Sequence, residues 1–277
     1  TNKLYKDKVM LSLQSCNIRS AKIIMETEKR NTAPAIMSAL QLVSKNEVLA
    51  IFSSDHLINT KKEFNLCVSK AARHAQSKQD VIVFGVEPSF AHTGYGYIEI
   101  AKSKSERDVH RVIKFHEKPN YLTAEKYIKN KSYFWNCGIF ILTKNLLLEE
   151  IRSRFVDFYK VLKENKALKL LSKKNQSVDL YSVNNLSVAM LPSISFDKAI
   201  LERIHNLSMI IATFNWSDLG AWSSIHQASK KNSDGNFIKG KNVSINSSNS
   251  IIISTKYPIV ADQIDDLVII NTTDVTY

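Results

Sequence analysis

Apolar positions recur every three or four residues in some stretches of the chain and run uninterrupted in others. Residues 4–14, 33–44 and 62–76 carry the helical spacing. The second of these is entered through Asn31-Thr32-Ala33-Pro34, with the proline near the first turn, where its missing N–H costs nothing. Residues 22–25, 48–52 and 81–86 are short apolar runs, as in strands buried on both faces. The resulting β-α-β-α-β rhythm predicts an α/β fold with a doubly wound, mostly parallel sheet.

The pattern then changes. Residues 97–101 and 109–115 read as an antiparallel insertion joined by a charged turn over 102–108, and 121–130 as a short helix. A strand is expected over 134–143 and a helical region over 146–171, followed by a polar connector around Asn175. A short helix (196–202) and a strand (208–214) come next. After Asn232-Ser233-Asp234-Gly235-Asn236, short strands near Val243, Ile251, Ile259 and Val268 recur with polar turns between them. That spacing predicts a small all-β, solenoid-like appendage. The expected domains are therefore 1–232 and 233–277.

Bulk composition narrows the class. The chain has 277 residues, of which 44% are hydrophobic and 23% charged, ordinary for a globular protein with a sizeable core. No apolar run is long enough for a membrane span, and residues 1–7 lack the apolar core of a signal peptide. Net charge is +12. The densest basic stretch places Lys160, Lys163, Lys166, Lys169, Lys173 and Lys174 among leucines, which predicts the wet face of an amphipathic helix. It lacks the interleaved aromatics of a nucleic-acid surface. Cys16, Cys67 and Cys137 are odd in number and form no metal-binding pair, so free thiols in a reducing cytoplasm are expected.

Candidate chemistry sits at strand ends, where α/β sheets bind ligands. Phe115-His116-Glu117-Lys118-Pro119-Asn120 closes a strand with a carboxylate and an ammonium side by side. Side chains of successive strand residues point to opposite faces, so the two need not neutralise each other. Glu117 suits sugar hydroxyls and Lys118 a phosphate, whereas for this segment taken alone a solvated turn is the better account of the same residues. Ser54-Asp55-His56 follows the run 48–52, where Asp55 is either a magnesium ligand or a helix cap. Trp216-Ser217-Asp218-Leu219-Gly220-Ala221-Trp222 supplies a second such carboxylate, Asp218. Thr93-Gly94-Tyr95-Gly96-Tyr97 offers close backbone approach or a plain hairpin turn. Asn136 in Trp135-Asn136-Cys137-Gly138 has an amide suited to sugar hydroxyls, or to a turn. No nucleophile elbow, zinc-protease helix, Walker loop or dinucleotide fingerprint occurs.

Taken in order, Arg30 to Ile36, Ser54-Asp55-His56, Phe84-Gly85 with Thr93 to Ile98, Phe115 to Pro119, Trp135 to Phe140, Ser195-Phe196-Asp197-Lys198-Ala199 and Trp216 to Trp222 resemble the bacterial mannose-1-phosphate guanylyltransferases. The resemblance implies a Rossmann-like nucleotidyltransferase fold, and formation of GDP-mannose and diphosphate from GTP and α-D-mannose 1-phosphate for polysaccharide biosynthesis. It implies that Mg²⁺ is held by Asp55 and Asp218. Glu117 and Asn136 would bind mannose hydroxyls, Lys118 the sugar phosphate, and Gly94, Tyr95 and Gly96 would line the sugar pocket. Asn31 and Thr32 would lie near the nucleotide, and Asp197 on the acceptor side.

Two departures accompany the match. The Gly-rich, Arg- and Lys-bearing loop with which the family opens has no counterpart in these 277 residues, nor has the isomerase domain of longer members. The expectation is an N-terminally truncated fold with an open apolar sheet edge, inactive alone, that pairs as a homo-oligomer or with a complementing N-terminal fragment. The alternatives are another sugar-1-phosphate nucleotidyltransferase and the non-catalytic half of a split enzyme.

Overall fold

Asparagine and threonine side chains cap several of the helices. Asn2 Oδ1 accepts from Leu4 N (2.9 Å), Asn31 Oδ1 from Thr32 N (2.9 Å), Asn120 Oδ1 from Thr123 N (2.9 Å) and Thr143 Oγ1 from Leu146 N (3.3 Å). Each satisfies a donor that the first helical turn leaves unpaired. The computed structural model describes residues 1–101, 109–172 and 178–277.

In chain order the elements are α1 (Lys6–Ser15), β1 (Ala21–Met25), α2 (Thr32–Ala39), β2 (Val48–Ile51), β3 (Leu57–Ile58), α3 (Lys61–Lys78), β4 (Val81–Val86), β5 (Tyr97–Ile100), β6 (Val109–His116), α4 (Tyr121–Ile128) and β7 (Tyr133–Thr143). There follow α5 (Lys144–Arg154), α6 (Val156–Lys163), β8 (Leu168–Ser172), β9 (Val178–Val183), α7 (Asn185–Val188), a single π-helical turn (Asp197–Leu201) and β10 (Leu207–Ile211). The last are β11 (Trp216–Ser217), α8 (Trp222–Ala228), β12 (Phe237–Lys239), β13 (Val243–Ile245), β14 (Ile251–Ser254), β15 (Val260–Asp262) and β16 (Val268–Asn271).

These elements form two compact units, one of residues 1–53 and 61–213, the other of 54–60 and 214–277. The second unit thus begins at Phe214 and takes in Ser54–Thr60, whereas the sequence pattern predicts a boundary near 232.

In the first unit a six-stranded sheet has the order β2-β7-β4-β10-β6-β5, with β5 also pairing to β7, and a three-stranded sheet has the order β1-β9-β8. Strand β4 is the centre of the core: Val81, Ile82, Val83 and Phe84 are fully buried. Burial of each such side chain contributes about 1.5–3 kcal/mol.

The α/β class stands, but the sheet is mixed where the sequence predicts a mostly parallel one. Strands β4 and β10 are parallel, whereas β7 runs antiparallel to both β2 and β4, and β6 runs antiparallel to β10. The cause is β7, an 11-residue strand that returns through the sheet between β2 and β4.

Strand β2 is likewise not the doubly buried centre that its apolar run suggests. It is an outer strand with Ala50 exposed, and Phe52 beyond it is 45% exposed. The expected helix over 146–171 breaks at Phe155 and ends at Lys163, and Leu168–Ser172 is a strand paired with β9. Lys169 therefore lies on a strand and not on a helical face. The turn expected over 102–108 and the connector around Asn175 fall outside the described residues.

The second unit contains two parallel ladders, β12-β14-β16 and β13-β15. Val243 faces Val260 and Ile251 faces Val268, a 17-residue offset in both cases. Buried Asn236 ties successive coils together, donating from Nδ2 to Ser247 O (2.6 Å) and accepting at Oδ1 from Ser250 N (2.9 Å). A parallel stack of short strands with internal asparagine bonds is solenoid-like, and the same unit also holds helix α8. Among the described residues no helix is long and apolar enough to cross a membrane.

Candidate active site

Tyr97 is the residue from which the first unit's site is built. Across one antiparallel ladder it faces His116, and across the other it faces Trp135. One step beyond each partner, antiparallel register sets Gly96 opposite both Glu117 and Asn136. Asn136 N donates to Gly96 O at 2.8 Å, continuing that row. Three motifs far apart in sequence therefore meet because β5 pairs on both sides.

The row is tight. A Cβ on Gly96 would lie 2.9 Å from Glu117 Oε2 and 3.1 Å from Phe115 Cζ, so glycine is what leaves room for the carboxylate. Asn136, itself buried, donates from Nδ2 to Asp197 Oδ1 (3.0 Å) and accepts at Oδ1 from Gly138 N (3.2 Å). Its amide, expected to be open for bidentate contacts, is thus oriented by protein at both ends.

Glu117 and Asp197 form an acidic pair. Burial raises the Glu117 carboxyl above its ordinary range, and the Asp197 charge adds to the rise while Lys118 and Lys198 oppose it. Burial likewise raises Asp197, against the hydrogen bond from Asn136 and the charge of Lys118. Desolvation and a like-charged neighbour both disfavour the ionised form.

Lys118 differs from the expectation. Its Nζ lies 3.8 Å from Glu117 Oε1, so the two groups do face each other. Strand alternation stops at His116, and Lys118 takes a left-handed φ of 45° that turns its side chain back. The Lys118 side chain is still 62% exposed and within reach of an anion from solvent.

The loop of Thr93, Gly94 and Tyr95 is held from both ends of His92. Tyr97 Oη accepts from His92 N (3.0 Å) and donates to His92 O (3.1 Å), while the His92 ring stacks on Tyr95 at 3.8 Å between centroids. Gly94 N donates to His92 Nδ1 (3.0 Å). Tyr95 and Phe90 meet the Trp135 ring edge-on at 5.3 and 5.0 Å.

Behind Glu117, His116 is fixed at both nitrogens, by Glu99 Oε2 (3.2 Å) and Tyr127 Oη (3.0 Å). Burial and a bond to Glu99 push the Tyr133 hydroxyl up to about 12. His92 and Glu99 carry no motif of their own, and only the fold brings them to the site.

Asn31 caps its own helix, whereas Thr32 is engaged by a distant segment of the chain. Thr32 Oγ1 accepts from Phe196 N (2.9 Å), and Ala33 N donates to Ile194 O (3.2 Å). The Asn31 segment thereby anchors the residues that lead into Asp197. Asn31 itself has φ 66° and ψ −172°, a region that only glycine enters freely.

In the second unit, β3 and β11 pair antiparallel with Leu57 opposite Ser217. This brings the segment carrying Asp55 alongside the one carrying Asp218. Trp216 Nε1 donates to His56 Nδ1 (3.1 Å), and Asp218 Oδ1 accepts from Gly220 N (3.0 Å). Mg²⁺ keeps several waters and takes one or two carboxylates from protein, so aspartates on two paired segments have the chemistry of candidate ligands. Among the described residues no cluster of three or more metal-ligating side chains occurs.

The chain resembles known proteins over nearly its whole length. It is 32% identical to a mannose-1-phosphate guanylyltransferase of Salmonella montevideo, covering 99% of this chain and 58% of that protein. It is 30% identical to the alginate biosynthesis protein AlgA of Pseudomonas aeruginosa, over 99% and 56% respectively. The chain thus spans a little over half the length of these curated relatives. A crystal structure described as mannose-1-phosphate geranyltransferase from Thermus thermophilus shares the fold, with TM-score 0.77 and 20% identity over 98% of this chain and 83% of that one. A second, described as mannose-6-phosphate isomerase from Helicobacter pylori, has TM-score 0.68 and 24% identity over 78% of this chain and 83% of that one. The family model described as Nucleotidyl transferase matches residues 5–235, and the chain belongs to that family.

Proposed function

We propose that the chain acts in the transfer of a guanylyl group to α-D-mannose 1-phosphate, giving GDP-mannose and diphosphate from GTP. The row of Gly96, Glu117 and Asn136, with Asp197 and Lys118 beside it, is the observation that carries this reading. The names of the relatives above support the choice of mannose and guanine.

In this reading the largely buried Glu117 carboxylate accepts hydrogen bonds from mannose hydroxyls. Asn136 is aligned for the sugar by its bonds to Asp197 and Gly138. The exposed Lys118 ammonium meets the sugar phosphate and lowers the cost of bringing that dianion to the α-phosphorus of GTP. The sugar phosphate oxygen forms the new bond to phosphorus as the bond to diphosphate breaks. Asp55 and Asp218 would hold Mg²⁺, which supplies charge neutralisation at the triphosphate. Asn31 and Thr32 lie on the nucleotide side.

Titration calorimetry of the chain with GDP-mannose and Mg²⁺ tests the assignment. Binding is expected to need Mg²⁺ and to weaken at least tenfold in Glu117→Ala and in Asp218→Ala, with unchanged circular dichroism. Unchanged binding in both variants, or equal binding of UDP-glucose, overturns it.

A further inference from the structure

A second concave site lies in the first unit, between the end of α2, the start of α5 and the end of α6. It is a cleft of about 290 Å³, and none of Glu117, Lys118, Asn136 and Asp197 lines it. Three lysines do: half-buried Lys144, with exposed Lys45 and Lys163. Among the described residues that line it there is no carboxylate. The acidic residues closest in sequence to the two exposed lysines are committed elsewhere. Glu47 Oε2 accepts from Ser44 N (2.6 Å), and Glu164 Oε2 pairs with Lys166 Nζ (2.6 Å). Like charges gathered round one hollow raise its potential and draw anions into it.

The walls of this cleft are cross-linked. Gln41 bridges the end of α2 to β8, donating from Nε2 to Leu168 O (3.2 Å) and accepting at Oε1 from Leu168 N (2.9 Å). Lys144 Nζ donates to Val43 O, and Lys144 N to Glu47 O (3.0 Å), which ties α5 to the loop bearing Lys45. Asn145 Nδ2 donates to Asn46 Oδ1 (3.1 Å) along the same seam. Helix α6 stops at Asn165, which takes a left-handed φ of 55° and donates from N to Leu162 O (3.1 Å). Lys163 Nζ lies 5.5 Å from the centre of the Tyr159 ring, an attraction that steadies the ammonium without neutralising it. Pre-formed walls lower the ordering cost of binding.

We infer that this cleft binds a small phosphorylated metabolite, about the size of one monosaccharide phosphate. The lysine ammonium groups are compact point charges suited to a phosphate dianion. Asn145 and Asn165 bring amides, which can donate to or accept from hydroxyls. Buried Leu40 and Leu162 give an apolar floor for the carbon face of a ring. Volume sets the size of the occupant. Ligand pockets run from roughly 300 to 1,000 Å³, so this cleft stands at the lower end and suits one ring with its phosphate, not a sugar nucleotide. The inference does not depend on the reaction proposed above.

Titration calorimetry of the full chain with glucose 6-phosphate, in EDTA, tests the site. Binding at 1:1 is expected, and the double variant Lys45→Gln with Lys163→Gln should weaken it about tenfold, close to 1.4 kcal/mol. Both positions are exposed, so circular dichroism and the melting temperature should stay as in the parent chain. Inorganic phosphate, which lacks the ring and its hydroxyls, should bind about tenfold more weakly than the sugar phosphate. Bound glucose 6-phosphate should slow hydrogen exchange at the amides of residues 144–148, where α5 forms one wall. The inference is overturned by no binding at millimolar ligand, by equal affinity for inorganic phosphate, or by full affinity in the double variant. Protection confined to the segments around Glu117 and Asn136 also overturns it, because the sugar phosphate then sits in the other site.

Discussion

Gly96 and Glu117 share one row of the sheet, and the side chain that Gly96 lacks would lie 2.9 Å from the Glu117 carboxylate. Carbon at that distance from oxygen forces one of them to move. Because Phe115 blocks the other side at 3.1 Å, the carboxylate is what yields. Gly96→Ala is expected to weaken GDP-mannose binding about tenfold, close to 1.4 kcal/mol. Stability should change far less, because no large side chain is lost. Calorimetry and a denaturation curve on the same sample separate the two effects; equal affinity shows that Glu117 does not need its present position.

Glu117 and Asp197 make stability depend on pH in an unusual sense. Both carboxyls are raised in the folded chain, chiefly by burial. A raised acid binds its proton more tightly when folded than when unfolded. The folded state is therefore penalised above the raised value, and the penalty fades as pH falls towards the ordinary carboxylate range. Asp197→Asn, which keeps a partner for Asn136, is expected to raise the melting temperature at pH 7 and to give little or no gain near pH 4. The same change should weaken sugar-nucleotide binding, the trade-off of a site that favours ligand over stability. A melting temperature that drops at pH 7 would show that the charge is compensated.

Much of this site is legible in the sequence as separate strand-end motifs, because turn residues and buried runs are local signals. Their convergence is not. It depends on β5 pairing with β6 and β7 together, a long-range fact with no local trace. The run 48–52 reads as a central strand since periodicity reports apolarity and not neighbours, yet β2 is an outer strand. Leu168–Ser172 reads as helix because Lys163, Lys166 and Lys169 are three apart, a spacing that a helix followed by a strand also satisfies. The left-handed turn at Lys118 is likewise invisible in composition, and it brings the lysine against Glu117.

Asn31 holds a strained backbone in exchange for a cap. Its φ of 66° with ψ of −172° lies where only glycine is comfortable, at a cost of about 1–3 kcal/mol. Its side chain returns one bond, to Thr32 N at 2.9 Å. Replacing a capping asparagine by glycine costs only a few tenths of a kcal/mol. Asn31→Gly is therefore expected to stabilise the chain by roughly 1 kcal/mol in urea denaturation. If Asn31 also touches nucleotide, the gain comes with weaker binding of GDP-mannose. A variant that loses stability would show that the cap outweighs the strain.

The three thiols should separate cleanly by burial. Cys16 is exposed, whereas Cys67 and Cys137 are buried. Burial pushes the Cys137 thiol far up, with the neighbouring Cys67 adding to it, so the reactive thiolate is scarce at neutral pH. Cys67 Sγ lies 3.2 Å from Thr213 Oγ1. Ellman's reagent is expected to titrate one thiol rapidly in the native chain and three in denaturant, and Cys16→Ser should abolish the fast phase. Cys137 adjoins Asn136 on β7, so its slow labelling reports opening of the strand that carries the site. If ligand binds through Asn136, that slow phase should lengthen when GDP-mannose and Mg²⁺ are present. An unchanged slow phase under saturating ligand would place the sugar nucleotide away from β7.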